Sequence, residues 1–203
     1  KSSAASDVYK RQDQQVLKKA LASLPVQGFD IRISRVKKSG LDACDFDVVL
    51  DKEHENHDHD MEYLHGDHHH AEHHHGHEDH HHDEHHHHEH RSPEDIIHII
   101  GHASMTDSAR ELACKIVKIL ANAEAKAHGV PLEQVHFHEV GAVDSIVDIV
   151  AAAVCADSLE LDEVYIPQLN EGRGMVRCQH GLLPIPVPAV ANIISANQLK
   201  MHI

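Results

Sequence analysis

The sequence has few aromatic residues: among 203 residues there are three tyrosines, three phenylalanines and no tryptophan. A hydrophobic core must therefore be built mainly from the aliphatic side chains that dominate its 41% hydrophobic content. No apolar run approaches the roughly 18 residues that a membrane span needs. The first twelve residues also lack the apolar segment of a secretory signal, and we expect residues 1–12 to be a non-native leader.

Cysteine is also scarce. The four cysteines are widely separated and form no C-x-x-C pair. Such spacing argues against a disulfide framework and suits a reducing compartment, so we expect a cytoplasmic protein.

Positive charge is in short supply, with 18 Lys and Arg against 33 Asp and Glu and a formal net charge of −15. Nucleic acid is excluded as a partner because its binding depends on Lys and Arg neutralising phosphates. An anionic membrane surface is excluded for the same reason. An acidic chain rich in imidazole suits cations instead.

Histidine is the residue present in excess. Residues 51–90 hold 19 of the 26 histidines and thirteen Asp and Glu, with Lys52 as their one basic residue. This composition has no core-building periodicity, so residues 51–91 are predicted to be a disordered insertion, the histidine tract. Imidazole binds Ni, Cu, Zn and Co, and we favour metal buffering over a passive solvating linker. The proposed ligands are His68, His69, His70, His73, His74, His75, His80, His81, His82, His85, His86, His87 and His88.

The remaining residues, 13–50 and 92–203, have the periodicities of a small α+β domain. Apolar stripes and capping signals predict the helices, and alternation of apolar with polar residues predicts the strands. The expected helices are 14–24, one starting at Pro93, one from Asp107 to Gly129, 142–159 and one from Pro188; the expected strands are 29–36 and 45–50, joined by a longish loop, and 164–166.

A second group of possible metal ligands follows the long helix. If residues 135–139 are extended, His136 and His138 point to one side, while Phe137 points into the core. Asp144 and Asp148 lie one turn apart on the next helix and share a face.

A glycine between these two pairs, Gly141, permits a tight turn that could bring them together. With Glu139, the two imidazoles and the carboxylates would form a nitrogen and oxygen site for a divalent transition metal. Equally, Asp144 and Asp148 could be the solvated face of a buried helix, with the two histidines as ordinary surface residues.

A third candidate begins at Gly172-Arg173-Gly174 and includes His180. The glycines allow close backbone approach to a ligand, and Arg173 or Arg177 could hold a phosphate or carboxylate. By chemistry alone, a structural turn is the favoured interpretation.

The segments that contain the second and third candidates, 136–148 and 172–188, resemble the nickel-insertion proteins of nickel-pincer cofactor synthesis, the LarC family. The similar stretches are His136-Phe-His-Glu-Val-Gly-Ala-Val-Asp-Ser-Ile-Val-Asp148, Gly172-x-Gly and Cys178-Gln-His-Gly-Leu-Leu-Pro-Ile-Pro-Val-Pro188. The resemblance covers about 14–50 and 92–203, and a histidine-rich insertion is common in the family at this position.

The resemblance implies a lyase-type cyclometallase. The family inserts Ni²⁺ into a pyridinium bis-thiocarboxylate mononucleotide and hydrolyses CTP with Mn²⁺ or Mg²⁺, and the product serves lactate racemase-type apoenzymes. A homo-oligomer is expected. The family has a glycine-rich opening and a C-terminal domain, to which nickel and CTP binding are largely attributed. We expect both to be absent from this fragment, which would then lack part of the catalytic machinery.

Two other functions fit the same residues. One is a non-enzymatic nickel or zinc store, or metallochaperone, that uses the histidine tract alone. The other is a metal-dependent hydrolase in which His136, His138 and Asp144 hold the metal and Glu139 is the general base.

Overall fold

The computed structural model describes residues 14–51, 91–137, 141–178 and 180–202. These residues form helices and small two-stranded sheets, which confirms the mixed α+β composition. No helix in this part of the chain has the length and apolar character to cross a membrane. The elements are α1 Gln14–Ala22, β1 Phe29–Lys38, β2 Leu41–Leu50, α2 Pro93–His102, α3 Asp107–His128, α4 Val143–Ser158, β3 Leu169–Asn170, β4 Met175–Cys178, β5 Gly181–Pro184, α5 Pro188–Ala196 and β6 Met201–His202.

The antiparallel hairpin β1–β2 packs its apolar face on the core. That face consists of Phe29, Ile31 and Ile33, paired with Leu50, Val48 and Phe46. The expected longish loop is wrong, because Ser39 and Gly40 alone connect the strands. Both have positive φ, 52° and 80°, as in the turn whose twist matches that of the two strands. The ladder therefore continues to the turn, and β2 begins at Leu41.

Helix α2 begins at Pro93, as predicted, and its N-cap is Ser92. Ser92 Oγ accepts a hydrogen bond from Asp95 N at 3.2 Å, and Asp95 Oδ2 accepts one from Ser92 N at 2.8 Å. These reciprocal bonds form a capping box. The bond that Asp95 accepts from Ser92 N, and secondarily one from Ser92 Oγ, holds the pKa of Asp95 below its ordinary value. Ile96 and Ile100 are fully buried on the inner face of α2.

Arg110 joins α2 to α3. Its guanidinium donates hydrogen bonds to the carbonyl oxygens of Ile100 and Gly101 at 2.9 and 2.7 Å, and to those of Ala103 and Met105 at 3.1 and 3.4 Å. Carbonyls at a helix C-terminus have no partner within the helix, so one cation satisfies several of them and complements the helix dipole.

Helices α3 and α4 pack together at the centre of the fold. Thr106 Oγ1 caps α3 by accepting from Ala109 N at 3.1 Å, and it donates to Asp157 Oδ2 on α4 at 2.7 Å. Gly129 ends α3 in the left-handed conformation, as predicted. Helix α4 is buried on most of its sides, and its buried residues are Val143, Ile146, Val147, Ile149, Val150, Ala151, Ala153 and Val154.

The C-terminal elements differ from the prediction in one place. Residues 164–166 form no strand, and Val164 and Tyr165 are 67% and 83% exposed. A run of three apolar residues is too short to specify a strand, and in the described structure no neighbouring strand pairs with it. The next strand along the sequence is β3, which pairs in parallel with β6, while β4 and β5 form an antiparallel hairpin. Helix α5 starts at Pro188 as predicted and packs on α3.

Candidate functional site

A cavity of about 410 Å³ lies where the end of α3 meets the β4–β5 hairpin and the start of α5. It gathers three imidazoles, a thiol and a carboxylate, and we call it the histidine cavity. Apolar side chains complete its wall. The five groups that can bind a cation are those of Glu124, His128, His136, Cys178 and His180.

The last turn of α3 supplies two of these groups. Glu124 and His128 are four residues apart, so they lie on one face of the helix, and Glu124 Oε2 is 3.4 Å from His128 Nε2. The ring of His128 is tilted by 50° against that of His180, with 4.9 Å between the centroids. The ring contact brings α3 and the β4–β5 hairpin together at the cavity.

The β4–β5 hairpin supplies Cys178 and His180. Cys178 is the last residue of β4 and pairs with Gly181, the first residue of β5. His180 therefore lies in the two-residue connection between the strands. Gly181 has a φ of 92°, a conformation that favours glycine over other residues.

His136 reaches the cavity from the segment before α4. Val135 and Phe137 are buried while His136 is exposed, so the side chains alternate as an extended backbone requires. The prediction that Phe137 points into the core is confirmed. Phe137 N donates to Arg91 O at 3.0 Å, which anchors this segment two residues before the start of α2.

No three His, Cys, Asp or Glu side chains in the described part of the chain are placed closely enough to hold a metal ion. The cavity therefore brings its donors to one wall without arranging them as a finished coordination sphere. His138 and Glu139 lie outside the described residues, as does the histidine tract from residue 52 to residue 90. The five-residue metal site expected from the sequence thus stays a prediction.

Asp148 and His136 line different cavities. Asp148 lines a second cavity, also about 410 Å³, together with Cys44 and Cys155. Asp144 is in the first turn of α4, where its Oδ1 accepts from Ser145 N at 2.8 Å. Asp148 is exposed overall, but partial burial of its carboxyl, and secondarily the charge of Asp144, raises the pKa of Asp148. The charge of Asp144 thus acts on Asp148.

We expect Asp148→Asn to raise the thermal midpoint of unfolding at pH 7 and to have no stabilising effect near pH 3. The folded state raises the pKa of this carboxyl above its unfolded value, so the ionised form opposes folding at pH above the raised pKa. That penalty disappears as the pH falls towards the ordinary value of 3.8. Thermal melts at the two pH values check the effect.

The control for this prediction is Asp144→Asn. It should lower the pKa of Asp148 only in part, because burial is the larger cause of the shift. A carboxyl-carbon NMR titration measures this directly. An Asp148 that titrates near 3.8 in the unmodified chain would contradict the prediction.

The glycine-rich candidate is only partly brought to the histidine cavity. His180 lines the cavity, whereas Gly172, Arg173 and Gly174 do not. Gly174 has a φ of 105°, and its carbonyl accepts from Ile185 N at 3.0 Å, which extends the pairing of β4 with β5 by one residue. A ligand-binding role for Gly172, Arg173 and Gly174 stays a prediction.

Sequence reasoning missed three residues of the cavity. Glu124 and His128 had the spacing of a helical face, and Cys178 stands two residues before His180. Both spacings are visible in the sequence. The three residues come together at one cavity only because α3 packs against α5 and the β4–β5 hairpin lies beside them.

The model of the family described as "Nickel insertion protein" matches residues 4–202. A pyridinium-3,5-bisthiocarboxylic acid mononucleotide nickel insertion protein of Alkaliphilus metalliredigens is 52% identical over 195 residues, which are 94% of this chain and 42% of the relative. A protein of the same name from Clostridium acetobutylicum is 49% identical over 82% of this chain and 39% of its own length.

A third protein of that name, from Acetivibrio thermocellus, is 37% identical over 91% of this chain and 39% of its own length. The chain therefore spans about two fifths of the length of these relatives. No solved structure matches it. The family match and these identities have one consequence: the chain belongs to the nickel insertion protein family.

Proposed function

We propose that this chain is the part of a nickel insertion protein that collects Ni²⁺ and presents it to a pyridinium bis-thiocarboxylate mononucleotide. The observation that supports this proposal most strongly is the histidine cavity, which brings His128, His136, His180 and Cys178 together in a member of this family. Imidazole nitrogen and cysteine sulfur are ligands that nickel accepts.

The arrangement of donors suits a metal in transit. Because no three donors of the described residues form a ready coordination sphere, the cavity must adjust to hold an ion, and that adjustment limits its affinity. The sulfur and carbon donors of the mononucleotide bind nickel more covalently than imidazole does, so transfer proceeds downhill.

The net charge of −15 and the histidine tract serve the same purpose. An acidic surface raises the local concentration of cations. The tract, which we propose to be a disordered reservoir, would hold many ions at moderate affinity. Its binding should fade below about pH 6 as imidazoles become protonated.

CTP hydrolysis with Mn²⁺ or Mg²⁺ belongs, in this proposal, to the whole-length protein. Such ions prefer oxygen ligands, and the described residues hold no group of three acidic or other metal-binding side chains that fits one. A lyase-type cyclometallase reaction, cytoplasmic location, homo-oligomerisation and delivery to a lactate racemase-type apoenzyme are further parts of the proposal.

The test compares variants in the whole-length protein that contains this segment. We expect the triple replacement of His128, His136 and His180 by Ala to slow nickel insertion about 10-fold or more, even at saturating nickel. Deletion of residues 54–90 should instead raise only the nickel concentration required. The measurement is the absorbance of the nickel-loaded mononucleotide over time.

His202→Ala is the matched control. His202 is exposed on β6 and does not line the cavity, so its loss should leave the rate unchanged. A triple variant as fast as the His202 variant would contradict the proposal. If the tract deletion then abolished nickel uptake, a non-enzymatic metal store would be the better description.

A further inference from the structure

Helix α2 carries two histidines that neither cavity uses. His98 and His102 are one turn apart and both are exposed, on the side of α2 away from the buried Ile96 and Ile100. Their ring centroids are 4.4 Å apart, with a tilt of 55°. Side chains four residues apart on a helix share a face, so the rings are held together by the backbone itself.

A hydrogen bond fixes the form of one ring. His102 Nδ1 is 2.8 Å from the carbonyl oxygen of His98. A carbonyl can only accept, so the proton is on Nδ1 and the lone pair of the neutral ring is on Nε2. Histidines that bind metals commonly donate their other ring nitrogen to a backbone carbonyl in this way, which orients the ring.

We propose that His98 and His102 form a two-nitrogen surface site for a divalent transition ion of borderline softness, such as Zn²⁺ or Ni²⁺. Two histidines at this helical spacing can bind one metal ion together, and water would complete the coordination. In the described structure no third donor joins them as a group, so the site is open on its outer side. Metal binding here does not depend on the proposed insertion reaction.

The position of His98 and His102 in the sequence suits a site that receives metal ions from the histidine tract. Helix α2 is the first described element after the histidine tract, and its N-cap, Ser92, follows the last tract histidine, His90, by two residues. A weak, open site so close in sequence to the tract would take ions from the tract and release them quickly. A rigid helix would then hold the first ordered metal position along the chain.

The test is a zinc titration of the ¹⁵N-labelled chain, followed by the imidazole nitrogen resonances. A chelator buffer fixes the free zinc concentration, so that uptake by the tract does not alter it. We expect the Nε2 signal of His102 and a ring nitrogen of His98 to shift together, at the same free zinc. In His98→Gln, His102 should require about 10-fold more zinc, because the second ligand is no longer held nearby.

The reciprocal variant, His102→Gln, should weaken zinc binding at His98 by a similar factor. Both side chains are exposed, so neither replacement should unfold α2, and far-UV circular dichroism verifies this. His202 lies in strand β6, with no other histidine close to it in the sequence, so its zinc dependence serves as the reference for a single imidazole. If His98 and His102 respond to zinc at the concentration that His202 needs, and each is unaffected by loss of the other, the proposal is overturned.

Discussion

Phe137→Ala should lower the free energy of unfolding by about 3–5 kcal/mol, which is a large part of the ~5–15 kcal/mol typical of a domain. Phe137 is 2% exposed and is the largest of the fully buried side chains in the described structure. Few aromatic residues are available in this chain, and the surrounding aliphatic side chains cannot fill the space that its ring would leave. Urea unfolding followed by circular dichroism measures the loss.

Two further variants make this result specific. Phe137→Leu keeps most of the buried volume and should cost less than about 1.5 kcal/mol. Tyr165→Ala removes an aromatic ring that is 83% exposed, and it should change stability by no more than about 0.5 kcal/mol. If Phe137→Ala loses less stability than Phe137→Leu, the ring of Phe137 is not part of the core.

The functional consequence follows from the position of Phe137. The residue lines the histidine cavity as well as the core, and His136 precedes it directly. Loss of the ring would loosen the backbone that holds His136 against the cavity. We therefore expect nickel insertion by the whole-length protein to fall in Phe137→Ala even where the chain remains folded.

The helices were predictable because their signals are local. Ser92 and Pro93 mark the start of α2, Thr106 and Gly129 mark the two ends of α3, and the nearly continuous apolar run of α4 indicates burial on most sides. Caps and apolar stripes depend on residues within one or two turns of each other, so the sequence alone contains them.

The errors arise where distant residues decide the structure. The run at 164–166 is apolar, but a strand also requires a partner, and β6 pairs with β3 instead. The length of the β1–β2 connection depended on Ser39, a residue that rarely adopts positive φ. Neither fact can be read from the apolar pattern of one segment.

Only some residues of the candidate site were predictable from the sequence. His136 and His180 were recognised from their motifs, 44 positions apart in the numbering, but they were assigned to different sites. The end of α3 brings His128 to His180, and the extended segment before α4 brings His136 to the same cavity. A ligand set drawn from three elements depends on tertiary packing, which no local spacing specifies.

Gly141→Ala should cost about 1–3 kcal/mol of stability. A β-carbon at this position would lie 2.7 Å from the carbonyl oxygen of Phe137, which is too close, and in van der Waals contact with the backbone nitrogen of Arg91 at 3.5 Å. The carbonyl oxygen is a backbone atom and cannot rotate away. Arg91 Nη1 also donates to the carbonyl of Gly141 at 2.6 Å, so the turn is held on that side too.

The strain in this variant would be relieved next to the histidine cavity. Moving the carbonyl of Phe137 displaces the residue after His136, so nickel insertion by the whole-length protein should fall along with stability. Urea unfolding and the insertion rate are both measured.

Gly101→Ala is the matched control, because Gly101 lies within α2 and a β-carbon there would have no atom within 4 Å. Alanine should stabilise that helix by about 0.5–1 kcal/mol, since glycine loses more backbone freedom on folding. The two substitutions are chemically identical and differ only in the space they enter. Effects of the same sign at both positions would contradict the steric account of the turn at Gly141, and with it the reason this sequence holds His136 at the cavity.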